Sequence, residues 1–171
     1  DFARAVEEIE IALRLGPGHG FVLGVSGQLL ATLGQPERAI GLMQRAMRLS
    51  PSYPDWYPLA LAEGHLLAGQ PDKALSAMSA ADDEYVSWFQ ARMEIAALAG
   101  LGRQDEAHIA VSERLEADPE FSIARIREHM ESRRPYVPEA VDTYLTLLRA
   151  AGVPERPPGT ESERPVIAVL P

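Results

Sequence analysis

The chain contains no cysteine, which excludes thiol catalysis, disulfide frameworks and thiolate metal sites and leaves the redox compartment open. It has no apolar run approaching the roughly 20 residues that a membrane span requires. Its N-terminus lacks the basic start and apolar stretch of a signal peptide. Positive charge is in deficit, with 16 lysines and arginines against 25 acidic residues and a net charge of -9. That balance repels a phosphate backbone and argues against direct nucleic-acid binding. The 171 residues suffice for one domain that buries a core without metals or cross-links. A soluble, cytoplasmic domain is the expectation. Opening at Asp1 in the middle of an amphipathic pattern, the chain is also expected to belong to a longer polypeptide.

What is present is an internal repeat. The segment from Ala5-Val6-Glu7-Glu8-Ile9 through Ala12-Leu13-Arg14-Leu15-Gly16-Pro17 matches Ala39-Ile40-Gly41-Leu42-Met43 through Ala46-Met47-Arg48-Leu49-Ser50-Pro51, at an offset of 34 residues. A turn precedes the second of these helices and recurs as Leu33-Gly34-Gln35-Pro36-Glu37-Arg38-Ala39, Ala68-Gly69-Gln70-Pro71-Asp72-Lys73-Ala74 and Leu101-Gly102-Arg103-Gln104-Asp105-Glu106-Ala107. Glycine supplies the left-handed residue that ends a helix, and proline fits the first turn of the next. Ala39, Ala74 and Ala107 stand where two antiparallel helices approach closely, with Leu, Ile and Met at helical spacing around them.

This period and the Ala-x6-Ala-x4-Pro rhythm resemble the tetratricopeptide repeat. The resemblance implies an all-α fold: antiparallel helix-turn-helix repeats in a right-handed superhelix, with a C-terminal capping helix pair. A repeat domain over residues 1–154 follows, with a half repeat at 1–17, full repeats at 18–51, 52–86 and 87–119, and capping helices within 120–154. Gly27 holds the small-residue position of the first helix, and Ala62 and the bulkier Ile95 hold the equivalents. The third repeat has Val86 in place of the closing proline, and the fourth has Arg114 in place of the second alanine.

In the cap, Phe121 to Met130 reads as a helix begun by Ser122, and Pro138 to Ala151 as another ending at Gly152 with Pro154 beyond. The phrases from Asp118 to Arg125, Pro135-Tyr136, and Tyr144-Leu145 with Arg149 to Glu155 are similar to the segment closing the repeat regions of bacterial class III adenylate or guanylate cyclase-type proteins. Related winged-helix transcriptional regulators share it. Residues 155–165 have the composition of a flexible linker. Val166-Ile167-Ala168-Val169-Leu170-Pro171 is a strand-like apolar tail. It either begins a further domain or pairs with an edge on a partner molecule.

Catalytic motifs fail on context. Gly16-Pro17-Gly18-His19-Gly20 lacks the strand that a dinucleotide fingerprint needs before it. Gly24-Val25-Ser26-Gly27 is one residue short of a nucleophile elbow and falls inside a helix. His19, His65, His108 and His129 lack the i, i+3 or i, i+4 partners of a metal site. Arg125, Arg127, Arg133 and Arg134 form a basic cluster near the cap, partly neutralised by Glu128 and Glu131. No catalytic residue, no metal and no cofactor are therefore expected, and the chain is not expected to be an enzyme.

The tetratricopeptide resemblance instead implies that the inner face of each first helix holds a peptide or helix. Aligned on the turns, the groove positions are Phe21, Gly24, Gln28 and Ala31, then Trp56, Leu59, Glu63 and Leu66, then Phe89, Arg92, Ala96 and Ala99. An aromatic leads each set, a composition favoured at binding hot spots. The same rings are alternatively packed against the preceding helix. Glu63 and Arg92 are the only candidates for an acid and a base in the groove. The expected role is a protein–protein interaction or regulatory module of a larger bacterial signalling protein. Its partner is a protein, a peptide or another domain of the same chain, held by Phe21, Gln28, Trp56, Leu59, Glu63, Leu66, Phe89 and Arg92. The alternative is a structural homodimer scaffold without a separate ligand.

Overall fold

A computed structural model describes residues 1–81, 88–133 and 136–157. Among these the chain is all-α, with nine helices and no strand: α1 (Phe2–Leu15), α2 (Gly20–Thr32), α3 (Pro36–Leu49), α4 (Trp56–Leu67), α5 (Pro71–Met78), α6 (Trp88–Gly100), α7 (Gln104–Ala117), α8 (Ile123–Arg133) and α9 (Pro138–Ala150). None is long and apolar enough to cross a membrane.

One piece of local chemistry sets the spacing. Gly34, Gly69 and Gly102 all adopt positive φ, at 78, 69 and 73°. After each, the next residue's N–H reaches back five residues: Gln35 to Leu30 O at 2.9 Å, Gln70 to His65 O at 2.9 Å and Arg103 to Leu98 O at 3.0 Å. This closes the orphan carbonyls at the helix end in the Schellman arrangement. The same device ends α9, where Gly152 has φ 87° and Val153 N–H bonds Leu148 O at 3.1 Å. Proline opens α3, α5 and α9, where its missing N–H costs nothing. Because each turn is so short, α2 and α3, α4 and α5, and α6 and α7 fold back on one another as antiparallel pairs.

Small residues set how closely the helices approach. Ala39, Ala74 and Ala107 are essentially buried. A Cβ on Gly27 would stand 3.0 Å from Met43 Cγ and 3.1 Å from Ala39 O, so α2 and α3 touch nearly backbone to side chain there. At Gly24 the Tyr57 ring occupies the space a Cβ would take, 2.5 Å away. Its hydroxyl donates to Gly20 O at 3.0 Å, fixing α4 on α2. Helix α5 is short at 8 residues, against 14 in α3 and α7. Val86, the expected departure of the third repeat, lies outside the described residues. Arg114, in the place of a second alanine, pairs with Asp118 at 3.2 Å and lies over the Phe121 ring.

The C-terminal pair is part of the core. Ile123 N–H donates to Pro154 O at 2.9 Å and Ala124 N–H to Glu155 O at 3.0 Å, so the segment after α9 caps the start of α8. The Arg149–Glu155 ion pair at 2.6 Å holds the same segment, and Glu155, the first residue of the expected linker, is thereby fixed in place. Residues 158–171, with the strand-like tail, lie outside the described residues. Helix α9 packs on α6 and reaches α4, and Val137 N–H bonds Thr32 O at the end of α2, at 2.9 Å. The largest apolar cluster runs from Leu59 through α6 and α7 to Tyr144, Leu145 and Leu148. Each fully buried leucine contributes roughly 1.5–3 kcal/mol.

Candidate functional site

The groove positions divide by repeat. Phe21, in the first turn of α2, is 57% exposed. Gln28 is half-buried, and so is Trp56, whose ring meets Tyr57 edge-on at 4.5 Å. Leu59 and Leu66 are core residues. Glu63 and Arg92 have no exposed surface at all, and Phe89 is half-buried against Arg92. Of the smaller positions, Gly24, Ala31, Ala96 and Ala99 are buried.

The cause is the chain's own C-terminal segment, which packs over these positions on α4 and α6. Glu63 from α4, Arg92 from α6 and Tyr136 from the approach to α9 meet in one buried cluster. The Tyr136 hydroxyl donates a short hydrogen bond to Glu63 Oε1 and accepts one from Arg92 Nη2 at 3.2 Å. Arg92 Nη2 and Glu63 Oε1 are themselves 3.9 Å apart, so the phenol bridges an ion pair too long to hydrogen-bond directly. Burial pushes the Tyr136 phenol well above its ordinary range, and the Glu63 carboxylate adds to the effect. It therefore stays protonated and remains a donor.

Three rings surround the guanidinium: Phe89 at 4.7 Å, Trp88 at 5.0 Å and Tyr144 at 5.1 Å from its carbon. Arg92 Nε and Nη1 are buried and have no hydrogen-bond partner among the described residues, so π-faces take the place of acceptors. A desolvated cation–π contact is worth about 2 kcal/mol. Neither Glu63 nor Arg92 reaches solvent, so the arrangement offers no acid or base to an external substrate. It is built to join α4, α6 and α9.

Sequence reasoning brought Glu63 and Arg92 to the same inner face and missed Tyr136, Tyr144 and Trp88. The available signal was the pair itself, an acid where the other helices carry Gln28 and Ala96 and a cation where they carry Gly24 and Leu59. The basic cluster near the cap pairs with Glu131, as the sequence suggests, and also with Asp118 and Asp142. Arg125 pairs with Asp118 at 3.0 Å, and Arg127 with Glu131 at 3.3 Å and Asp142 at 3.6 Å. Glu128 takes no part in these pairs. Arg134 and the side chain of Arg133 lie outside the described residues.

Residues 16–19 form the turn between α1 and α2, Gly20 opens α2, and Ser26 is buried within α2. Among the described residues no group of three His, Asp or Glu side chains is placed to hold a metal ion. No family model matches the chain, and no curated protein or solved structure is significantly similar to it.

Proposed function

We propose that the chain is a non-catalytic, tetratricopeptide-type interaction module whose helix pairs form a right-handed superhelix. Its own C-terminal helix pair occupies the inner face over α4 and α6, and a partner protein, peptide or neighbouring domain docks on the part left uncovered. The observation that carries this reading is Phe21, a large apolar side chain 57% exposed at a position whose counterparts Trp56 and Phe89 are partly covered. With Gln28 and Trp56 it offers an aromatic-led surface suited to an apolar helix or extended segment. The resemblance of the cap to cyclase-type and regulator proteins favours a cytoplasmic bacterial signalling protein as the setting.

Capture of binding proteins on the wild-type domain beside Phe21→Ala tests the reading. Phe21 is exposed, so its loss leaves the fold intact. A partner held by wild type is expected to lose at least about 2 kcal/mol of affinity in the variant. A partner held equally by both places the docking site elsewhere.

Self-association has one specific observation in its favour. Leu15 (82% exposed), Phe21 and Leu49 (49%) lie at the same end of the antiparallel α1, α2 and α3. Light scattering separates the two readings: a concentration-independent monomer rules the homodimer out.

A further inference from the structure

The repeats act as their own control, because equivalent side chains occupy equivalent points in successive pairs. Backbone bonds fix the equivalence: the carbonyls of Leu30, His65 and Leu98 each accept from the residue after the turn glycine. His65 thus stands, buried, where its neighbours carry leucine. In the same register Gln44 follows Glu10 by 34 residues, and Lys73 follows Arg38 by 35.

These substitutions change one groove. Between α1 and α3, Arg38 donates to Gln35 Oε1 at 2.5 Å and crosses to Glu10 at 2.6 Å. At the start of α7 the charges are reversed: Glu106 stands where α3 and α5 carry Arg38 and Lys73, and Arg103, the counterpart of Gln35 and Gln70, satisfies it within the same turn, its Nε 2.6 Å from Oε1. Between α3 and α5, Lys73 donates to Gln70 Oε1 at 3.1 Å, and no carboxylate among the described residues pairs with it. The result is an open groove of about 530 Å³ lined by Glu37, Ile40, Gln44, Leu61, His65 and Lys73, within the size range of ligand sites. Leu61 and His65 leave α4 on the side opposite Leu59 and Glu63, because two residues of helix turn through about 200°. This groove is therefore distinct from the inner face.

Its chemistry has a direction. Gln70 Oε1 accepts from Lys73, which fixes the amide orientation, and the same oxygen lies 3.0 Å from His65 Nδ1. Nδ1 must then carry the proton, leaving Nε2 of the neutral ring as an acceptor for an incoming N–H. Glu37 sits seven residues before Gln44, about 10 Å along α3. One end of the groove thus calls for a carboxylate, the floor for an N–H donor, and the far end disfavours a second negative charge.

We propose that the α3–α5 groove binds an extended peptide segment of a protein partner. An Asp or Glu side chain of that segment pairs with Lys73 as Glu10 pairs with Arg38, and a backbone N–H meets His65 Nε2. This site goes beyond the Phe21 surface and does not depend on it.

The test is selection of a displayed library of random peptides, about ten residues long, on the wild-type domain, followed by affinity measurement with the selected peptides. Acidic peptides are expected. Their affinity should fall at least tenfold for Gln44→Glu, which places an internal carboxylate opposite Lys73, and for Lys73→Gln, while Phe21→Ala leaves it unchanged. Replacing the peptide's acid by its amide should cause the same loss. Failure to select acidic peptides, or equal binding to wild type, Gln44→Glu and Lys73→Gln, overturns the proposal. Loss of binding in Phe21→Ala alone assigns the peptides to the other surface and also overturns it.

Discussion

Tyr136 and Glu63 are 73 residues apart in sequence and joined by a short buried hydrogen bond. Through it the C-terminal segment is anchored to the middle of the repeat array. A buried ion pair alone is weak support for stability, because desolvation offsets its attraction. Here the phenol fills the gap between Glu63 and Arg92, and the aromatic rings take up the rest of the guanidinium. Tyr136→Phe removes a donor and an acceptor together. It is expected to destabilise the domain by about 3 kcal/mol, measured by urea unfolding.

The same cluster predicts strong coupling between the two charges. Glu63→Leu or Arg92→Leu alone strands a buried charge at a cost of about 3–5 kcal/mol. The double variant removes both and should lose less than the sum of the single losses, by at least about 1 kcal/mol in a double-mutant cycle.

The turn glycine Gly69 and the exposed helix glycine Gly41 should respond in opposite ways. Gly69→Ala forces a Cβ into the left-handed region at φ 69° and is expected to destabilise by about 1 kcal/mol. Gly41 lies exposed inside α3 with open space where a Cβ would go. Gly41→Ala should stabilise by roughly 0.5–1 kcal/mol. Thermal unfolding distinguishes the two directions.

His65 gives the domain a pH dependence of known sign. Burial, the largest influence, lowers its pKa from the ordinary 6.5, and nearby Lys73 also lowers it, against the opposing effects of Gln70 and Asp72. The unfolded chain therefore binds the proton more readily than the folded one. The stabilisation is fully present above pH 6.5 and is lost as pH falls below it towards the folded value. The loss is at most about 1.4 kcal/mol per pH unit. His65→Leu, which restores the residue type of Leu30 and Leu98, should flatten the stability profile between pH 6.5 and 5.

The parts of this fold governed by local chemistry were legible in the sequence. Gly34, Gly69 and Gly102 with the residues after them specify the turns, and Ala39, Ala74 and Ala107 mark the close approaches. The closure of the inner face was not legible, because it depends on contacts between residues as distant as Glu63 and Tyr136. The amphipathic pattern of α9 shows that one face is buried but does not name the surface it meets. The difference at the α3–α5 groove was present in the sequence all along, as His65, Gln44 and Lys73. It carries meaning only once the neighbouring grooves show what their counterparts do.

Residue-resolved native-state hydrogen exchange tests the central claim, that the C-terminal pair closes the inner face as part of one cooperative core. The amides of Tyr144, Leu145 and Leu148 in α9 are predicted to exchange with the same opening free energy as those of Ala62 and Glu63 in α4 and Met93 and Ala96 in α6. Early exchange throughout α9, with α4 and α6 still protected, would contradict the account and leave the inner face open to a partner.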